Sequence, residues 1–191
     1  MTGRGRFGWY RGMKALLIPS LLAAGAAYAE CPPAPDVEAD VARILAEVRA
    51  APDERSARVL SNRLWELWAK APDDAAQALL DRGMSARASF DFLTALEAFD
   101  RLVDYCPDYA EGYNQRAFVN FLREDYAAAL VDLDEALARR PTHVAALSGK
   151  ALTLMGLGRH DEAQAVLRLA YELNPWIPER GLLVEVPGKD L

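Results

Sequence analysis

Apolar residues recur at helical spacing in paired segments separated by short turn-like stretches, and the pairs themselves repeat. Pro107, Pro141 and Pro175 fall 34 residues apart, each at the end of such a pair. Proline has no amide hydrogen and cannot continue a helix interior, so each pair stops there and the next begins. The spacing predicts helices over about 76–89 and 92–105, 110–123 and 126–139, and 144–157 and 160–173. They are joined through Ser89-Phe90-Asp91, Glu124-Asp125 and Gly156-Leu157-Gly158. Upstream, Asp36 is placed to cap a helix from Val37 to Arg49. Pro52-Asp53 is placed to start a second, ending near Ala71-Pro72 and carrying Leu60, Leu64, Leu67 and Trp68 as its apolar stripe.

Aligned on the prolines, the three units share more than length. Their eighth places are Gly83, Ala117 and Ala151, and their twentieth are Ala95, Ala129 and Ala163. Small residues at these two places let facing helices approach closely. Phe99, Leu133 and Leu167 at the twenty-fourth place fill the space beside that contact. This pattern resembles the tetratricopeptide repeat over Ala76 to Pro175. Two departures stand out: the seventh place is basic (Arg82, Arg116, Lys150), and the eleventh is Ala86, Asn120 and Leu154. Recurrence of the basic place with the repeat points to pairing with acids across the helix pair, or else to an anion-binding stripe.

The expected fold is therefore all-α, a helix-turn-helix repeat solenoid. Residues 30–75 are expected as a degenerate repeat capping its start, 76–175 as the three repeats, and 176–191 as a C-terminal capping tail. The resemblance implies a concave side lined by the first helix of each pair, where a peptide or helix is held. The places it assigns to that side include Met84 and Arg87 in the first unit, Asn114, Phe118, Phe121 and Leu122 in the second, and Ser148, Leu152 and Met155 in the third. Leu80, Glu111, Ala145 and Gly156 fall on the same side. The groove so composed is largely apolar, suited to an amphipathic helix or an extended apolar peptide, unless the terminal segments cover it. The Lys, Asn and Arg clamp of the chaperone-tail subclass is replaced here by residues such as Leu80, Met84, Ala145 and Gly149, so a charged tail is not the expected ligand.

The first 29 residues read as a signal peptide. Arg4, Arg6, Arg11 and Lys14 precede an apolar run from Ala15 to Ala27, and Ala27-Tyr28-Ala29 is a small-x-small cleavage site. The run falls short of the roughly 20 apolar residues of a membrane span, so contact with a membrane is expected only through this segment if it stays uncleaved. A periplasmic or secreted protein beginning at Glu30 is expected. Loss of four basic and no acidic residues takes the net charge from −6 to −10, which repels phosphate backbones and disfavours nucleic acid. Cys31 and Cys106 are the only cysteines. One bridge or two unpaired thiols both fit, since Cys31 lies in an arm beside Pro32-Pro33 and Cys106 precedes Pro107 where any small apolar residue would serve.

Little in the chain suggests an enzyme. His143 and His160 fall in turns and are expected to be solvent-exposed, with no shared spacing for a metal. No phosphate loop or nucleophile elbow is present, and no cofactor is expected. A protein or peptide partner held by an exported scaffold is the principal expectation; a self-associating envelope component and an accessory domain of an envelope enzyme are the alternatives.

Overall fold

The computed structural model describes residues 2–3 and 30–184. The signal-like segment 4–29 and the tail Gly188 to Leu191 lie outside the described residues. The elements are α1 Glu38–Arg49, α2 Glu54–Trp68, α3 Asp74–Ala88, α4 Phe92–Tyr105, α5 Ala110–Leu122, α6 Tyr126–Arg139, α7 Val144–Gly156 and α8 His160–Leu173, then a 3-10 turn over Pro178–Leu182. Every helix of the repeat region lies within two residues of its predicted bounds. Asp36 accepts a hydrogen bond from the Glu38 amide at 3.2 Å, while Val37 occupies the cap position itself. Asp53, Asp73, Asp91 and Asp125 cap α2, α3, α4 and α6 by accepting from the amide three residues on. The donors hold the Asp53, Asp73 and Asp91 carboxyls below the usual carboxylate range.

Antiparallel pairs α3/α4, α5/α6 and α7/α8 stack in chain order, with α3, α5 and α7 neighbours along one side. The repeated small residues do what their spacing implies. Ala95, Ala129 and Ala163 are fully buried, as are Phe99 and Leu167, and Leu133 nearly so. Gly83 lies against the Phe99 ring so closely that a Cβ there would overlap it. Two of the basic seventh places hold the stack together by ion pairs. Arg116 bonds Asp132 at 2.6 Å and Asp100 at 2.9 Å, and Lys150 bonds Asp134 at 2.6 Å. Burial works against the Arg116 charge, but the hydrogen bonds to Asp132 and Asp100 outweigh it and raise its pKa. Arg82 is exposed.

The turns share one backbone solution. Phe90, Glu124 and Gly158, 34 residues apart, have φ of 61°, 61° and 72°. Only the last is glycine, and a left-handed conformation disfavours side chains with a Cβ. Phe90 is 78% exposed and meets the Phe92 ring edge-on. Phe90→Gly should therefore raise stability by about 1 kcal/mol in urea denaturation; a lowered midpoint would show that the Phe90–Phe92 contact matters more than the backbone.

The N-terminal pair departs from expectation. A fourth repeat capping the solenoid would pack α2 on α3 as α4 packs on α5 and α6 on α7, and it does not. Instead the pair shares a core with the far end of the stack. Val41, Ile44, Leu64 and Trp68 belong to one cluster with Val144, Leu147, Leu167 and Ile177. Asn174 donates to Ser61 Oγ at 3.2 Å, and Arg180 pairs with Glu54 at 3.0 Å. Trp68 stacks on His143 at 4.0 Å between centroids, and Tyr109 donates from its hydroxyl to the Trp68 carbonyl at 2.8 Å. The physical reason is that the apolar stripe of α2, through Leu64 and Trp68, finds its partners across the concave side rather than at the solenoid's end. The start of the pair is fixed as well. Cys31 and Cys106 form a disulfide, Cα to Cα 5.2 Å, tying the arm before α1 to the end of α4.

Candidate functional site

Because α2 faces α5 and α7, the concave side becomes a partly enclosed cavity of ≈ 590 Å³. Its floor and one wall come from Asn114, Gln115, Ala117, Phe118 and Phe121 of α5 and Ser148, Gly149, Leu152 and Thr153 of α7. The opposite wall is Ser61, Leu64, Trp65 and Trp68 of α2, and Asn174, Trp176 and Ile177 close one end. Ala117 and Gly149 open a crevice between the helices that reaches Leu133 of α6.

A buried polar chain runs under the cavity. The Glu111 carboxylate is 1% exposed. It accepts from Gln115 and from Asn114, and lies 2.8 Å from His143 Nε2. His143 Nδ1 accepts from the Ala146 amide at 3.3 Å as the cap of α7. That bond leaves the proton on Nε2, so a neutral imidazole donates to Glu111. Gln115 also accepts from Arg87, whose guanidinium lies 4.7 Å from the centre of the Phe118 ring. Burial lowers the Arg87 pKa, and the nearby Glu111 charge partly offsets this. Burial likewise pushes the Tyr109 hydroxyl upward.

Six of the nine groove residues proposed from sequence line this cavity: Arg87, Asn114, Phe118, Phe121, Ser148 and Leu152. Three do not. Met84 packs against the core around Leu80 and Phe99, and Leu80 itself has no exposure. The cavity is offset toward α5 and α7, so α3 reaches it only through Arg87. Leu122 is 40% exposed and outside the wall, since it is turned about 100° from Phe121 around the helix. Met155 packs against the core of α7 and α8 and lines a separate depression with His160, Gln164 and Leu182. His143 corrects a further expectation, being completely buried, whereas His160 is exposed. The burial had a signal in the repeat: Tyr109, His143 and Ile177 occupy the same place and are all buried. The apolar stripe of α2 and the apolar residues after Pro175 were visible in the sequence, but the surface they meet was not.

Stacked helix-turn-helix pairs with small residues at the crossings and a concave cavity define an α-solenoid of the interaction-repeat type. The comparisons with known proteins agree. A family model described as tetratricopeptide repeat matches residues 121–175. Tetratricopeptide repeat protein 36 of Bos taurus is 31% identical over 126 residues, covering 64% of this chain and 67% of that protein. The chain belongs to the tetratricopeptide-repeat family. A repeat-containing protein of Rhizobium etli is 39% identical over 64 residues, 34% of this chain and 31% of the relative, so this match spans about a third of that relative's length. Among solved structures, the TPR2B domain of yeast Sti1 in complex with pHsp70 superposes with a TM-score of 0.52 at 22% identity, over 53% of this chain and 81% of that one. MamA superposes with 0.51 at 21% identity, over 69% and 75%. These likenesses show the shared fold.

Proposed function

We propose that this protein is an exported interaction module that holds an apolar segment of another polypeptide between α2 and the concave faces of α5 and α7. The observation that carries the reading is the cavity itself, with aromatic walls from Trp65, Phe118, Phe121 and Trp176 and a rigid, hydrogen-bonded floor. Concave grooves of this kind bury apolar anchors while backbone groups are met by polar side chains. The Sti1 domain is a relative in fold whose structure was solved in complex with pHsp70, which supports a peptide-holding role. The groove residues here are apolar where a charged tail would need cations, so an uncharged segment suits them better.

The test is capture from a periplasmic extract by Phe118→Ala and Phe121→Ala variants. Phe118 is 45% exposed, so its loss should weaken capture while leaving stability within about 1 kcal/mol of the parent. A loss of about 3–5 kcal/mol would mark it as core instead. Undiminished capture by both variants would remove the site.

Export rests on the N-terminal charge and hydropathy pattern, and the Cys31–Cys106 bridge suits an oxidising compartment. Intact-mass measurement of protein recovered from the cell envelope should give Glu30 as the first residue. Recovery of the full-length chain in the cytoplasm would contradict it.

A further inference from the structure

The concave side of this solenoid is covered by the chain's own N-terminal pair. α1 and α2 share a core through Val41, Ile44 and Leu64, and Trp68 stacks on His143 across the groove. The pair does not pack on α3, its neighbour in sequence. Two covalent attachments join it to the first repeat: the segment Ala69 to Asp73 leading into α3, and the Cys31–Cys106 bridge to the end of α4. The first is a fixed pivot, since Ala71 is buried and its amide donates to Gln77 Oε1 at 3.0 Å. The repeats meanwhile keep cores of their own. Leu80, Ala95, Phe99 and Leu102 form one cluster and Tyr113, Ala117, Leu133 and Ala146 another, neither containing a residue of α1 or α2. At the far end the pair rests on Val144, Leu147, Leu167 and Ile177. The Arg180–Glu54 ion pair at that rim joins side chains 37% and 48% exposed, so it adds little.

A segment held at both ends gains little freedom by leaving its seat. With the bridge intact, α1 and α2 can lift from the groove only as a closed loop between Cys31 and the pivot; with it broken they lift as a free arm. The lost chain constraint favours the lifted state by roughly ten- to a hundredfold. The bridge is also open to attack from one side. Cys31 is half-buried, whereas Cys106 is 2% exposed. A thiolate of a dithiol reductant therefore bonds to Cys31 Sγ, and the electron pair of the breaking S–S bond leaves on the Cys106 sulfur, which takes up a proton. The reductant's second thiol then attacks its own first sulfur, closing the reductant's disulfide and freeing Cys31 as a thiol. Two electrons and two protons pass from the dithiol to the bridge.

We propose that α1 and α2 form a redox-controlled cover: the oxidised bridge clamps the pair over the groove, and reduction by a dithiol lets it swing away about Ala69 to Asp73 while the three repeats stay folded. This rests on the interaction-module reading and adds its regulation, since a partner enters in proportion to the open fraction and the pair then closes over it. The test is hydrogen exchange followed by mass spectrometry on the oxidised protein, the protein reduced with dithiothreitol, and the C31S/C106S variant. Amides of α1 and α2 should exchange roughly ten- to a hundredfold faster in the reduced and variant forms, with those of α5 and α6 unchanged to within about twofold. Reoxidation of the reduced parent should restore slow exchange. Equal acceleration in every helix would show that the bridge guards the whole fold, and unchanged exchange would show that packing alone holds the pair. Either result overturns the cover and leaves the interaction-module reading standing, because that reading fails instead on undiminished capture by the Phe118 and Phe121 variants.

Discussion

Replacing both Cys31 and Cys106 with serine should cost about 4 kcal/mol of stability. The bridge closes a loop with a sequence separation of 75, and cross-linking a loop of that size removes about that much free energy of chain disorder from the unfolded state. The bridge also has a local task. Cys31 and Ala34 pack against the core formed by Leu80, Phe99 and Leu102, so the arm before α1 is anchored beside the end of α4. With the other end of the pair held through Ala69 to Asp73, α1 and α2 are tethered at both ends to the first repeat. Urea denaturation of parent and variant, each with and without reductant, measures the effect. Parent under reductant should match the variant. A difference below about 1 kcal/mol between oxidised parent and variant would show that the pair is held by its packing alone.

Glu111→Ala is expected to cost a similar amount, about 3–5 kcal/mol. The carboxylate is the one acceptor shared by His143 Nε2–H, Gln115 and Asn114, and its charge lies near that of Arg87. Its removal leaves those donors buried without partners, which costs more than the bonds themselves contribute. Glu111→Gln retains an acceptor and should lose less, about 1–3 kcal/mol. Because His143 also caps α7 and stacks on Trp68, the damage should extend to α2. Thermal unfolding followed through tryptophan fluorescence and through far-ultraviolet circular dichroism should show this, the fluorescence transition preceding the helical one. Coincident, unshifted transitions would mean that the polar chain is dispensable.

The repeats were legible because each unit states its structure locally. Proline every 34 residues marks the ends, alanine or glycine at the eighth and twentieth places marks the crossings, and the basic seventh place finds acids sixteen residues away in either direction. The groove was legible in part for the same reason, since Asn114, Phe118 and Ser148 hold their places through helical phase alone. The N-terminal pair was not. Leu60, Leu64 and Trp68 announce an apolar face but not which surface it meets, and that choice depends on Val144, Ile177 and Asn174, more than a hundred residues further on for Ser61 and Asn174. His143 was misjudged because it follows Pro-Thr in a turn, although it shares its repeat place with the buried Tyr109 and Ile177; Trp68 then stacks on it from outside the repeat.

Of the four tryptophans, Trp9 precedes Glu30 and the other three, Trp65, Trp68 and Trp176, all line the cavity. Indole N–H resonances of the mature protein therefore report on the cavity alone. Titration with acetylated, amidated peptides built from Leu, Phe, Val and Ala, followed by two-dimensional nitrogen–proton NMR, should shift these indole signals. Binding seen by calorimetry with all three indole signals unmoved would place the partner elsewhere and contradict the account.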